Sequence, residues 1–223
     1  MIESALSERG TRIRPSEWPV HLLSDIARFD AGRTPSRAEP SFWSAQNGSG
    51  IPWVTISDMT PHSVIQRTSE TITPRALKEV FRGRIVPKGT LLMSFKLTIG
   101  RTATLGMDAC HNEAIVSIYP GPLIDQKYLE FYLSQVDYRR YQDRAVKGNT
   151  LNQEKIARIE VLVPPLAVQE AIVASLTTIH QAIELADAHA AGLRRLFTSA
   201  RHELLHADAE ESALSSVREA ETA

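Results

Sequence analysis

A single cysteine, Cys110, stands in a chain of 223 residues, so no internal disulfide can form. No Cys/Cys or Cys/His set has zinc-ligand spacing, and a reducing, cytoplasmic setting is expected. Long apolar runs are missing as well, since nothing approaches the roughly 18 residues of a membrane span. The opening residues, with Glu3, Glu8, Arg9, Arg12 and Arg14, lack the apolar core of an export signal. Neither a GxxxxGK(S/T) phosphate loop nor a GxGxxG dinucleotide turn occurs, which leaves ATP hydrolysis and Rossmann redox chemistry without a visible site. Net charge is only −1, and by itself that argues neither for nor against a polyanionic partner.

The charge that is present is unevenly placed. From Leu166 onward there are 4 Lys+Arg and 9 Asp+Glu, net −5, whereas up to Pro165 there are 21 against 17, net +4. This division predicts a basic N-terminal globule followed by an acidic helical tail, with only the first part suited to nucleic acid. Residues 1–17 are polar and irregular and are expected to form a loose leader, with order beginning at Trp18-Pro19-Val20-His21-Leu22-Leu23. Gly32-Arg33-Thr34-Pro35-Ser36 and the stretch holding Pro40, Asn47, Gly48, Ser49 and Gly50 are rich in turn formers and read as exposed loops.

Short apolar segments between breakers, at 51–56, 64–65, 89–95, 114–119 and 159–163, read as strands. Between them, Thr73 is a cap and Pro74 a first helical residue, which predicts a short helix through Phe81. A second helix is expected over 125–144, with Tyr128, Leu129, Tyr132, Leu133 and Val136 on one face. Gly148-Asn149-Thr150 breaks the chain, and 152–158 is expected to add a helical turn or two.

After Pro164-Pro165 the periodicity changes. Ile172, Leu176, Ile179, Ile183, Ala186, Ala190, Leu193, Phe197, Ala200 and Leu204 follow in steps of four and three, the a/d stripe of a coiled coil. A helix over 168–206 would reach roughly 58 Å and needs a partner along its stripe. The alternative is a long helix folded back on its own globule. The fold class expected is therefore α+β, a mixed α/β globule (18–165) followed by a long C-terminal helix (166–206) that pairs in a coiled coil, then an acidic, disordered tail (207–223). The dimer seam is assigned to Ile172, Leu176, Ile179, Ile183, Leu193, Phe197 and Leu204.

One catalytic motif stands in the letters: His202-Glu203-Leu204-Leu205-His206 fits the HExxH of zinc proteases. Only 17 residues follow it, too few to build a substrate cleft, and Leu204 already belongs to the helical seam. Val163-Pro164-Pro165-Leu166 has the two prolines of an amino-methyltransferase loop but neither its polar residue nor its aromatic, and it reads better as a helix start. Asp108, Cys110, His111 and Glu113 read as a loop or strand edge, not a metal site. No catalytic residue and no metal ligand is therefore expected. Basic groups are plentiful on predicted loops and helix ends: Arg33, Arg37, Arg82, Arg84, Lys88, Lys96, Arg101, Arg139, Arg140, Arg144 and Lys147. Most such groups hold phosphate and make affinity salt dependent, whereas sequence is read at base edges.

Several motifs taken together carry a resemblance. Trp18 with Leu22-Leu23-Ser24-Asp25-Ile26, Gly32 to Ser36, Ile51-Pro52-Trp53-Val54, Val86-Pro87-Lys88-Gly89-Thr90-Leu91-Leu92-Met93-Ser94 and Thr98-Ile99-Gly100-Arg101 resemble, in order, the target-recognition domain of type I restriction-modification specificity subunits. Asn112-Glu113-Ala114-Ile115, Tyr128-Leu129, Gly148-Asn149-Thr150 and Val161-Leu162-Val163-Pro164-Pro165-Leu166-Ala167-Val168-Gln169 are similar to the later motifs, with glutamate at 113 where glutamine is expected.

The resemblance spans about Trp18 to Leu204 and covers one recognition domain and one helix. It implies a half-length specificity subunit whose helix pairs with a second copy, or with a different half, to read a bipartite double-stranded DNA target. It also implies partner methyltransferase subunits that use S-adenosylmethionine and a restriction subunit that uses ATP and Mg, with no cofactor on this chain. DNA contacts are expected from Arg33, Thr34 and Ser36, from Lys96, Thr98 and Arg101, and from Lys147, Asn149 and Thr150. Two competing readings are a non-catalytic coiled-coil adaptor that binds proteins and a zinc hydrolase built on the HExxH.

Overall fold

In the computed structural model, backbone is described for residues 18–43, 50–141 and 151–221, and side chains as far as Leu205. The centre of the globule is a five-stranded sheet. Its strands are β2 (Ala27–Ala31), β9 (Ile115–Pro120), β6 (Leu91–Ser94), β7 (Thr102–Leu105) and β4 (Val64–Ile65), in that order, antiparallel except for the β7–β4 pair. Because strand side chains alternate between faces, the run Leu91-Leu92-Met93 supplies both sides. Leu91 and Met93 join Val116 and Ile118 in one cluster, while Leu92 and Ile115 join Ala103 and Leu105 in another. A sheet covered on both faces explains why Leu91-Leu92-Met93 is continuously apolar and not alternating.

The first cluster is completed by α1 (Leu23–Ile26), by α3 (Gln126–Ser134), which buries Tyr128, Leu129 and Leu133, and by Ile156 of α4 (Gln153–Ala157). Asp125 caps α3 and Asn152 caps α4 through side-chain acceptors. A second sheet, β5 (Glu70–Ile72), β3 (Ile51–Val54) and β8 (Cys110–His111), is covered by α2 (Pro74–Glu79) around Trp53, Ile72 and Phe81. Thr73 caps α2 and Pro74 opens it, as the residues predict. The ribbon of β1 (Val20–Leu22) with β10 (Glu160–Leu162) ties the two ends of the globule together.

From Leu166 a single helix, α5 (Leu166–Glu221), runs on. Its first turns belong to the globule, which forms one compact unit through Val173, with residues 174–223 as a second. Gln169 anchors it: fully buried, its Oε1 accepts from the Asp125 amide at 2.7 Å, and its Nε2 donates to the carbonyls of Pro164 (2.7 Å) and Leu123 (3.0 Å).

The α+β class with a long C-terminal helix stands as expected, but several elements differ. The helix expected over 125–144 ends at Ser134 and is followed by a 3-10 turn, Tyr138–Tyr141. Tyr138 leaves the helix to bury itself, its hydroxyl donating to the Leu133 carbonyl at 2.6 Å. The helix expected to stop at 206 continues to Glu221, through a stretch without Gly or Pro and rich in Ala and Glu. Strands β2, β5, β7 and β8 were not separable from their neighbours by pattern: three to five residues or fewer carry too little periodicity.

Candidate nucleic-acid interface

The 32–36 loop leaves β2 and lies along β8. The amides of Gly32 and Arg33 donate to the carbonyls of Ile115 (3.1 Å) and His111 (2.9 Å), and the Arg33 carbonyl accepts from Trp53 Nε1 at 3.0 Å. Gly32 is required at this crossing, since a Cβ would sit 2.1 Å from the His111 carbonyl oxygen and 2.3 Å from that of Asn112. Beneath it, His111 is 2% exposed, and burial pulls its pKa down to about 4, so the ring is neutral near pH 7. Pinned by backbone in this way, Arg33, Thr34 and Ser36 turn outward and are exposed. Thr34 donates its hydroxyl to Glu113, which gives that glutamate a local task. Arg37 pairs with Glu70 through both terminal nitrogens (2.8 Å for Nη2) and stacks 3.8 Å from the Trp43 ring centre, bracing the loop's far end.

The second predicted segment is the connection between β6 and β7. The Ser94 amide donates to the Arg101 carbonyl and the Gly100 amide to the Ser94 carbonyl, both at 2.9 Å, while Ser94 Oγ donates to the Thr98 carbonyl. Leu97 (φ 64°) and Gly100 (φ 81°) carry left-handed backbone. Lys96 is half-buried with its ammonium 5.5 Å from the Phe95 ring centre, and Thr98 is exposed.

Arg101 differs from the expectation that grouped it with the DNA contacts. Its guanidinium turns inward, donating to the carbonyls of Ile56 (3.1 Å) and Met59 (3.4 Å), and so fastens the hairpin to the 3-10 turn Ile56–Asp58. An arginine is suited to this task because one planar fork can meet two carbonyls.

These two segments converge. Residues 112–114 lie between them, with the Arg33 amide on the His111 carbonyl, Thr34 on Glu113, and the Phe95 amide on the Ala114 carbonyl at 2.8 Å. The third predicted segment, Lys147, Asn149 and Thr150, lies outside the described residues. The next described residue, Leu151, donates its amide to the Phe95 carbonyl at 2.9 Å, at the base of the same hairpin.

A basic groove of about 690 Å³ adjoins the 32–36 loop, its walls including Arg28, Arg33, Arg82 and Arg84, with Asp30 the one carboxylate. All four arginines are exposed and none is in an ion pair among the described residues, although Arg28 stacks 4.6 Å from the Tyr119 ring centre. Sequence reasoning missed Arg28. Its signal was the alternation along β2, in which Arg28 and Asp30 share the exposed face.

On α5, Ile179, Ile183, Leu193, Phe197 and Leu204 are each more than half exposed within the chain, while Leu176 is partly buried. Ile172, expected in the seam, packs instead on the globule's main cluster, because the compact unit extends one turn past Gln169. His202 and Glu203 lie on this helix, and the side chain of His206 is outside the described residues. Among the described residues no group of three or more His, Cys, Asp or Glu is placed to hold a metal, and no helix is long and apolar enough to cross a membrane.

The type I restriction modification DNA specificity domain matches residues 15–193. The chain is 28% identical over 175 residues to the type I restriction enzyme MjaIX specificity subunit of Methanocaldococcus jannaschii, covering 76% of this chain and 39% of that protein. Against the HindI specificity subunit of Haemophilus influenzae it is 24% identical over 154 residues, covering 67% of this chain and 32% of that protein. It thus spans well under half the length of these curated relatives. In fold it is similar to a chain from a type I R-M system (TM-score 0.61, 21% identity, 87% of this chain and 48% of that one). It is also similar to the HsdS subunit from Thermoanaerobacter tengcongensis (TM-score 0.58, 19% identity, 82% and 43%). A match over residues 15–193, most of the chain, means that the chain belongs to the type I restriction modification DNA specificity domain family.

Proposed function

We propose that this chain is a sequence-reading component of a type I restriction-modification system. Its globule binds double-stranded DNA with the 32–36 loop and the β6–β7 connection at base edges, and the arginine groove on phosphate. The observation that carries the reading is the convergence of those two segments, through residues 112–114, beside a groove whose exposed arginines form no ion pair among the described residues. Exposed, backbone-pinned polar groups suit base-edge readout, and unpaired arginines suit the phosphate contacts that position it. In this reading the chain is not an enzyme. Methylation is left to methyltransferase subunits that bind S-adenosylmethionine, cleavage to a restriction subunit that uses ATP and Mg, and all act in the cytoplasm.

The exposed stripe from Ile179 to Leu204 supports pairing of α5 with the helix of a second recognition unit, a second copy of this chain in the simplest case. Two units a fixed distance apart would read a bipartite target. The experiment incubates the protein with randomised duplex DNA, with and without the methyltransferase subunit of the same system, and sequences what is retained. A bipartite motif with a constant gap is expected, palindromic if two copies read it. No enrichment from folded, assembled protein would overturn the reading and favour a protein-binding adaptor.

A further inference from the structure

The β6–β7 connection ends on an apolar side chain that the fold does not use. Leu97 is 78% exposed, and it takes left-handed backbone, φ 64°, a conformation that residues with a Cβ adopt rarely. Neither core packing nor backbone preference accounts for a leucine here, because glycine would sit at this turn more easily. The base beneath it is held at several points. Ser94 bonds Thr98 and Arg101, Arg101 is fastened to the 56–59 turn, and a Cβ on Gly100 would meet the Tyr138 ring at 2.3 Å, so the turn is seated directly on that ring. A tip braced in this way loses little freedom on meeting a partner.

Resting on the DNA-recognition reading above, we propose that Leu97 reads a thymine. A two-stranded ribbon fits the major groove of B-DNA, and there the C5-methyl of thymine is the apolar group that marks one base pair from the others. Leu97 lies against that methyl, and Lys96, beside it on the same turn, meets a neighbouring phosphate. The left-handed backbone aims the leucine outward, and the contact with DNA is the use that its exposure lacks within the protein.

The test starts from the site that the wild-type chain selects with the methyltransferase subunit of the same system. Each thymine of that site is replaced in turn by deoxyuridine, which lacks only the methyl group, and binding is measured for wild type, Leu97→Ala and Leu97→Gly. At one position deoxyuridine is expected to weaken wild-type binding about four-fold, the worth of one buried methyl. Leu97→Ala is expected to weaken binding to the thymine site by at least as much and to bind the thymine and deoxyuridine sites equally. Leu97→Gly should lose the same discrimination while raising the thermal unfolding midpoint, because glycine relieves the left-handed backbone, so the lost affinity cannot be ascribed to a damaged fold. Thymine discrimination retained in full by Leu97→Ala, or a loss equal at every sequence, overturns the proposal. Should wild type itself select no site, the recognition reading falls, and this proposal with it.

Discussion

At the residue scale, the groups that place the exposed 32–36 loop are themselves buried and silent. His111 never faces solvent, yet its carbonyl receives the Arg33 amide, and Gly32 lies against its backbone. Burial holds its folded pKa at about 4 against an ordinary value of 6.5. Between those values the unfolded chain binds the proton and the folded chain does not, so stability is complete above pH 6.5 and is lost as pH falls toward 4. The shift corresponds to about 3 kcal/mol. Urea unfolding from pH 7 to pH 4.5 should show this loss, and His111→Gln should show a shallower dependence than wild type.

Gln169 is a second such residue, with three backbone partners and no exposed surface. Gln169→Leu strands one amide and two carbonyls and is expected to cost about 2–3 kcal/mol in urea unfolding. Gln169→Glu keeps the acceptor but turns a carboxylate on two carbonyls, and is expected to cost at least as much. The Pro-Pro-Leu-Ala-Val-Gln run was legible as a motif and as a helix start. Its reason was not, because two of the three partners of Gln169, Asp125 and Leu123, lie more than forty positions away.

At the scale of elements, the β6–β7 hairpin separates two cations that look alike in sequence. Lys96 and Arg101 are five residues apart on one loop, but the first lies half-buried over the Phe95 ring beside the exposed turn and the second is spent on the carbonyls of Ile56 and Met59. Lys96→Ala is expected to lower the slope of log affinity against log salt by about one, with no change in unfolding midpoint. Arg101→Ala is expected to cost about 1–2 kcal/mol of stability, through lost hydrogen bonds to buried carbonyls. DNA binding would then weaken only because the hairpin is no longer held. Salt titrations of binding, read beside thermal melts of the same variants, distinguish the two roles. A loop rich in Arg, Lys and Thr announces an exposed turn, but which cation turns inward depends on where unpaired carbonyls lie in another element.

For the whole molecule, the stripe of α5 carries exposed Ile179, Ile183, Leu193, Phe197 and Leu204. If a second copy covers it, the wild-type protein sediments as a dimer, and Ile183→Asp with Phe197→Asp sediments as a monomer whose globule melts unchanged. The repeat along α5 is legible in the sequence because a heptad pattern is local, but spacing alone also enrols Ile172, which packs on the globule instead. Equally local, the capped start after Thr73 and the helix start after Pro165 are legible in sequence, whereas the first helix ends at Glu79 and not at the expected Phe81.

The order β2-β9-β6-β7-β4 was not, nor were the assignment of Ile172 to the globule, the inward turn of Arg101 or the pairing of Thr34 with Glu113. Each of these is a contact between residues far apart in the chain. Periodicity, caps and charge division act over a few residues and can be read from letters. Which strand lies beside which, and which polar group is left facing out, is decided only when distant segments compete for the same core.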